Sequence, residues 1–412
     1  MNILIVYPRP DEEKNPRFGF SYEMLTIAAV LSPYHRVTIV DYSRESYDNL
    51  AFSTQIGRGG IDLLILECDS FALKRSQNMK HAKELILLCD EQIPIIAYGN
   101  YCYITKKRLD GVTYTIFSND INMVIDAVNA VSTGADVPHI SGYDTLPYID
   151  RSLLLHMDYY REKRHCTLLQ TATGCENTCV FCQRKGWQSH YRSHSDSYVL
   201  NELTLIREQG YRNVWITDEN FTFNLLRAKR LLLKVYQNSL AKGMKFFISS
   251  WVNIDKEFLE LAAKCNINII SFGVESGCQN ILNFYQKNIQ IANIPELIRY
   301  ANSIGIFTVG NFILGAPMET DYTIDQTFAL IRECGFDQIN IKILDYMIGS
   351  TLYDSLPNEL KKNDHVFACA ENGLTSFTLA ELTNRRNAFI KSYYNEHRTM
   401  LAEKISRFGT PY

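Results

Sequence analysis

No segment of this sequence offers about 18 uninterrupted apolar residues, so no membrane-spanning helix is predicted. The amino end, MNILIVYPRPDEEKN, lacks the basic stretch and long apolar run of a signal peptide. Neither sign of charge is in excess: 42 basic and 45 acidic residues give a net charge of −3, so no global basic field draws the chain to nucleic acid. Repeats and low-complexity tracts are missing. With 46% apolar and 21% charged residues, the composition is that of a globular protein, not a disordered or collagen-like one. A disulfide framework is lacking too, because such scaffolds are short and Cys-dense with an even count, and here 412 residues carry eleven cysteines. A reducing, cytoplasmic setting is the expectation. What the sequence does have is a cluster: Cys175, Cys179 and Cys182 stand close together, and the other eight cysteines are scattered singly.

At ~150 residues per domain the length allows two or three domains. Residues 1–135 alternate strand-like runs (NILIVYP, HRVTIVDYS, IDLLILECDS, IPIIAYGN, VTYTIFS) with helical segments such as GFSYEMLTIAAVLS. That alternation predicts an α/β, doubly wound parallel sheet of the flavodoxin or Rossmann kind. Ligands on such sheets bind beyond the carboxyl ends of the strands, here near Pro8–Arg9, Asp69–Ser70 and Gly99–Tyr101. Residues 136–165, with VPHISGYDTLPYIDR, read as a linker. From Cys166 a second series of six strands and intervening helices predicts a partial (β/α)6 barrel over 166–355, with its chemistry at the strands' C-terminal ends. Residues 356–412 read as a helical tail, in which Tyr393 and Tyr394, with His397 and Arg398, are a candidate cap for the barrel mouth.

Three thiolates spaced C-x3-C-x2-C on one loop can converge on one face of a metal centre. Zinc would want a fourth protein ligand, and His190 and His194 do not match the thiols in spacing. A ferredoxin cluster would need a fourth cysteine, whereas three ligands leave one iron of a [4Fe–4S] cluster open to a small molecule. Spacing alone leaves zinc and a metal-free loop as further readings. With Phe181 as the aromatic, C-x3-C-x-aromatic-C resembles the cluster loop of the radical S-adenosylmethionine (SAM) superfamily. The resemblance implies that the open iron chelates SAM and that electron transfer from the cluster yields a 5′-deoxyadenosyl radical. It also implies roles for the flanks. Asp218 and Glu219 end the second strand where the superfamily holds the SAM amino group. Glu275-Ser276-Gly277 resembles the segment that meets ribose and carboxylate. Gly315 and Pro317 sit in a G-x-P-x-E-T turn whose backbone meets adenine, and Met347–Tyr353 resembles a P-G-T-x-L-Y segment. The chain departs from the pattern at Trp251, where many relatives carry an arginine that contacts SAM.

The first domain, joined by a proline-bearing linker to such a core, resembles the cobalamin-binding class of these enzymes. That resemblance implies methyl transfer from methylcobalamin to an unactivated carbon of a natural product, peptide or other metabolite, with Pro8, Asp69, Ser70 and Gly99 near the cofactor. No D-x-H-x-x-G is present to supply a lower ligand, and Tyr98-Gly99-Asn100-Tyr101 stands where a double glycine is usual. The alternative is a cobalamin-independent radical SAM enzyme that cyclises, rearranges or dehydrogenates, with a vestigial first domain. A third reading is a binding protein whose cluster is structural or transfers electrons. The implied partners are a small-molecule or peptide substrate and a reductant such as flavodoxin or ferredoxin. Cys68, Cys89 and Cys265 read as core residues and Cys278 as a helix start; no catalytic acid or base is identified.

Overall fold

A computed structural model of the chain describes residues 1–11, 20–43, 47–57, 60–69, 78–89, 93–134, 136–154, 166–186 and 190–409. Ser70, one of the expected contacts, lies outside the described residues. Two compact units are present, one of Met1–Leu168 and one of Leu169–Lys185 with Ser189–Tyr412.

In the first unit β1 (Asn2–Tyr7), β2 (Arg36–Asp41), β3 (Leu63–Glu67), β4 (Ile95–Tyr98) and β5 (Tyr114–Thr115) form a parallel sheet in the order β2-β1-β3-β4-β5. β3 and β4 are buried along their whole length and β1 nearly so, which is why these strands read as unbroken apolar runs instead of alternating. Helices α1 (Tyr22–Leu31), α2 (Asn49–Gly57), α3 (Met79–Cys89) and α4 (Asn100–Thr105) stand between them in the chain, and α5 (Ile121–Val131) follows β5. Ser21 caps α1 by accepting from the Met24 N–H, and Asp120 caps α5 by accepting from Asn122. The strand order reverses between β1 and β3, so the crevice that such a fold offers opens at the carboxyl ends of those two strands.

β6 (Cys166–Leu169) leads into the second unit and is followed by a short antiparallel pair, β7 (Ala172–Thr173) with β8 (Arg192–Ser193). Then follow α6 (Asp196–Glu208), β9 (Asn213–Ile216), α7 (Leu225–Gln237), β10 (Lys245–Trp251), α8 (Lys256–Lys264), β11 (Ile267–Glu275), α9 (Gln279–Phe284), α10 (Ile294–Ser303), β12 (Phe307–Leu314), α11 (Asp321–Cys334) and β13 (Gln338–Ile343). Strands β6, β9, β10, β11, β12 and β13 lie side by side in one sheet, the six-stranded partial barrel expected. Its outer face supplies Val214, Phe246, Ile248, Ile270 and Phe272 to a core shared with Leu203, Leu231 and Phe258 of the helices. The alternate residues, including Trp215, Phe247, Ser249, Ser271, Asn311 and Asn340, turn to the inner face and stay part-exposed.

After β13 come β14 (Asp345–Met347), α12 (Thr351–Asp354), β15 (His365–Phe367) and α13 (Leu379–Phe408). β14 and β15 form an antiparallel hairpin that periodicity did not predict. Tyr393 and Tyr394 of α13 do not cap the barrel mouth. Tyr393 donates to the Phe336 carbonyl at 2.5 Å, and Tyr394 Oη accepts from Ile339 N–H at 3.1 Å, both at the amino end of β13. The reason is the sheet edge: β13 is the last strand of its sheet, so the outward Ile339 N–H needs a partner, which α13 provides.

Candidate radical SAM site

The cysteine loop springs from a knot of hydrogen bonds at Thr171. Asp218, just past the end of β9, accepts from Thr171 N–H (2.7 Å), Thr171 Oγ1 (2.5 Å) and Ala172 N–H (3.0 Å). Arg227 of α7 donates to the Thr171 carbonyl at 2.8 Å and to Oγ1 at 3.2 Å. Burial pushes the Asp218 carboxyl up, and the Thr171 and Ala172 donors pull it back. Glu219 takes the next step, accepting from Gly174 N–H at 2.8 Å. Gly174 has φ of +83°, and a Cβ there would overlap the His190 carbonyl, so the T-G-C glycine is demanded by the close passage of the β7–β8 hairpin.

Cys175, Cys179 and Cys182 follow, with Cys182 N–H bonded to the Cys179 carbonyl at 3.1 Å and Asn177 donating to Cys175 Sγ at 3.1 Å. All eleven cysteines are free thiols, and the singly placed Cys68, Cys89, Cys265, Cys334 and Cys369 are buried core residues. Cys278 is the N-cap of α9. Phe181 packs edge-on to Tyr285 at 5.1 Å, and Val180 is held by Tyr285 and Leu352, so the loop's exit is fixed by an apolar seam. Burial pushes the Cys179 thiol up to about 12, with the Lys287 ammonium opposing it. Cys182 is raised for the same reason, with Arg184 opposing. Among the described residues no set of three His, Cys, Asp or Glu side chains is already drawn together around a metal-sized space. The donor chemistry nevertheless fits an iron–sulfur cluster: three thiols on one loop, close enough to feel one another's charge, beside two cations that offset thiolate charge.

The flanking segments come to the same end of the sheet. Glu275 terminates β11 at a register shift with φ of +72°, a strained position for a residue with a side chain. Its carboxylate stands 3.2 Å from Lys287 Nζ, which itself lies 3.9 Å over the Trp251 ring. Lys287 is buried. Sequence reasoning missed it, because its partners Glu275 and Trp251 stand far from it along the chain. Gly273 is small because a Cβ would meet Glu275 Oε1 at 2.7 Å. Ser276 does not point to an open site: its Oγ accepts from Cys278 N–H at 3.1 Å and meets Thr327 Oγ1 at 3.3 Å. After β12, Gly315 (φ +101°) and Ala316 donate to Glu319 Oε2 at 3.0 and 3.3 Å, a buried clasp that shapes the Gly315–Pro317 turn. On the inner face Asn311 donates to Ser271 at 2.8 Å and accepts from Asn340 at 3.1 Å, level with Trp251.

Residues 169–331, which contain the knot, the thiols, Lys287 and the Glu319 clasp, match the radical SAM superfamily. The match covers 163 of the 412 residues. An uncharacterized methyltransferase of Pyrococcus horikoshii is 28% identical over 220 residues, 53% of this chain and 48% of that one. An anaerobic magnesium-protoporphyrin IX monomethyl ester cyclase of Cereibacter sphaeroides is 26% identical over 271 residues, 63% of this chain and 42% of the relative. The chain thus spans less than half the length of these relatives. The radical SAM methyltransferase TsrM of Kitasatospora setae, solved with cobalamin and a [4Fe–4S] cluster, shares the fold with a TM-score of 0.72 at 14% identity, over 87% of this chain and 78% of that one. The cobalamin-dependent radical enzyme OxsB does so with a TM-score of 0.61 at 15% identity, over 80% of this chain and 51% of that one. Among the described residues no helix is long and apolar enough to cross a membrane.

In the first unit, the crevice behaves differently on its two sides. Between β3 and β4 it is closed. Gly99 (φ +109°) backs onto Cys68, whose carbonyl a Cβ would meet at 2.5 Å, and Tyr98 and Tyr103 fill the interior with hydroxyls bonded to Glu67 and Glu23. Asp69 accepts from the Tyr7 hydroxyl at 3.0 Å and its N–H donates to Asn78 at 2.8 Å. Beyond β1, past Pro8, Arg9 N–H donates to His81 Nδ1 at 2.7 Å, and Tyr47 sits edge-on to His81 at 4.2 Å. There His81 Nε2 and the Tyr47 hydroxyl are buried without hydrogen-bond partners among the described residues. Orphaned donors of that kind fit a ligand rich in amide groups.

Proposed function

We propose that this chain is a radical SAM enzyme that holds a [4Fe–4S] cluster on Cys175, Cys179 and Cys182 and methylates an unactivated carbon of a small molecule or peptide, with cobalamin carried by the first unit. The observation that carries the reading is the placement of three thiols on one loop at the C-terminal end of the sheet, beside the buried Lys287. When bound, the cofactors supply the radical and methyl chemistry, and the protein supplies orientation and exclusion of water.

The chain's own residues divide that task. Lys287 is the cation for the SAM carboxylate in place of the arginine missing at Trp251, and Glu275 faces the ribose. The Gly315–Pro317 turn, fixed by Glu319, offers backbone to adenine. The inner face from Trp251 to Asn340 receives the substrate, and flavodoxin or ferredoxin supplies electrons. In the first unit Arg9, Tyr47 and His81, next to Pro8, suit the amide-bearing rim of a corrin. Likeness of fold to the cobalamin-bound TsrM supports this reading.

The closed passage at Gly99 favours a second reading, in which cobalamin is absent and the radical SAM domain cyclises, rearranges or dehydrogenates. Anaerobic reconstitution with hydroxocobalamin, followed by desalting and visible spectroscopy, decides between them. One retained corrin per chain is expected; a chain that assembles its cluster but retains no corrin rejects the methyltransferase reading. Cys179→Ala should abolish both the cluster absorption and 5′-deoxyadenosine formation, and turnover that survives refutes the cluster assignment.

A further inference from the structure

We propose that Glu219 is a positioning residue that ties down both flanks of the cysteine loop and holds Arg184 against the thiols. The proposal rests on the reading that Cys175, Cys179 and Cys182 carry a [4Fe–4S] cluster. The resemblance to other radical SAM proteins places Asp218 and Glu219 at the SAM amino group, but both carboxylates are already engaged. Asp218 is taken up by Thr171 and Ala172. Glu219 Oε2 accepts from Gly174 N–H at 2.8 Å, immediately before Cys175, and Oε1 lies 3.4 Å from Arg184 Nη1, just beyond Cys182. The Glu219 side chain is only 7% exposed, so the contact is little weakened by water.

One carboxylate therefore spans the loop, and its second partner is the guanidinium of Arg184, two residues past Cys182. Arg184 stands in the short turn Gln183–Gly186 directly after Cys182, so its charge lies beside the cysteine loop. A cation beside a cluster favours the reduced form, which carries one more negative charge. A carboxylate bonded to that cation offsets the effect. Glu219 thus does two things at once: it orders the loop for assembly, and it keeps the cluster's reduction potential low.

The test uses the full chain reconstituted anaerobically with iron and sulfide, as wild type, Glu219→Ala, Glu219→Gln, Arg184→Gln and the Glu219→Gln/Arg184→Gln double variant. Iron per chain is measured, and the [4Fe–4S]2+/+ couple is titrated with dithionite as one-electron donor and followed by electron paramagnetic resonance. Glu219→Ala should lose most of its iron while keeping the wild-type far-ultraviolet circular dichroism. Glu219→Gln keeps an oxygen for Gly174, so it should load iron normally but titrate at a higher potential. A tenfold shift of the reduction equilibrium is expected, about 59 mV for one electron. Arg184→Gln should move the potential down, and the double variant should return towards wild type. Unchanged potentials in both single glutamine variants, with full loading of Glu219→Ala, overturn the proposal and leave the cluster reading standing. Wild-type protein that takes up no iron overturns the cluster reading, and the proposal with it.

Discussion

The Lys287 ammonium lies 3.9 Å from the centre of the Trp251 ring and 3.2 Å from Glu275, joining two strand ends and the loop after α9 into one buried contact. A buried pair of this kind adds little net stability, but removing one partner leaves the other charge stranded. Lys287→Met should therefore lower stability by about 3–5 kcal/mol, read as a shift of the urea midpoint. The Lys287→Met/Glu275→Gln double variant should recover most of that loss. If Lys287 meets the SAM carboxylate as proposed, both variants should bind SAM at least ~10-fold more weakly, a loss of about 1.4 kcal/mol. A double variant no more stable than the single one would mean that Lys287 matters for its packing on Trp251 and not for its charge.

Gly174 faces the His190 carbonyl with no room for a methyl group, and its φ of +83° is costly for any residue with a Cβ. Gly174→Ala should push the β7–β8 hairpin off the start of the cysteine loop, so iron uptake on reconstitution should fall to a small fraction of wild type. Gly57, at the end of α2, has nothing within 4 Å of an added Cβ, so Gly57→Ala is the matched control and should load iron normally. Equal iron content in the two variants would count against the close passage.

The strands of the first sheet were legible because β1, β3 and β4 are buried on both faces, and continuous apolar runs such as LLILE are visible without any partner, whereas strands such as β10 of the second sheet show alternation. The cysteine trio was legible because its spacing is local. Lys287, Arg184 and Arg227 were not. They act on residues 12 to 56 positions away through polar bonds that leave no periodic trace. Likewise α13 could be recognised as helical, but periodicity reveals a buried face without saying which surface it covers, and that surface proved to be the edge of β13. At Gly99 the residue type was read as a place for a ligand to approach, whereas the close approach is that of Cys68.

Thr171 is bonded through its N–H, its carbonyl and its hydroxyl to Asp218 and Arg227. Thr171→Val keeps the shape but removes the hydroxyl, leaving a buried carboxylate and a buried guanidinium each one bond short. Bonds to charged groups are worth about 1.5–3 kcal/mol each, and a loss of that order in thermal or urea stability is expected, with Thr171→Ser close to wild type. If Val and Ser behave alike, the knot is held by its backbone bonds alone.

His81 contributes to the pH dependence of the first unit. It is buried, it accepts from Arg9 N–H through Nδ1, and burial with the nearby Arg9 charge lowers its pKa to about 4. An unfolded histidine titrates near 6.5, so between pH 6.5 and 4 the unfolded chain binds the extra proton and the folded one does not. Stability from this residue is then full above pH 6.5 and is lost as the pH falls towards 4, by up to about 3 kcal/mol. His35, also lowered by burial, acts in the same direction. His81→Phe keeps a ring against Tyr47 without a titrating nitrogen, and should flatten the acid limb of a melting-temperature profile over that window, leaving only the part due to His35. An acid limb as steep as in wild type would show that His81 is already protonated in the folded chain, and that Arg9 N–H does not donate to it.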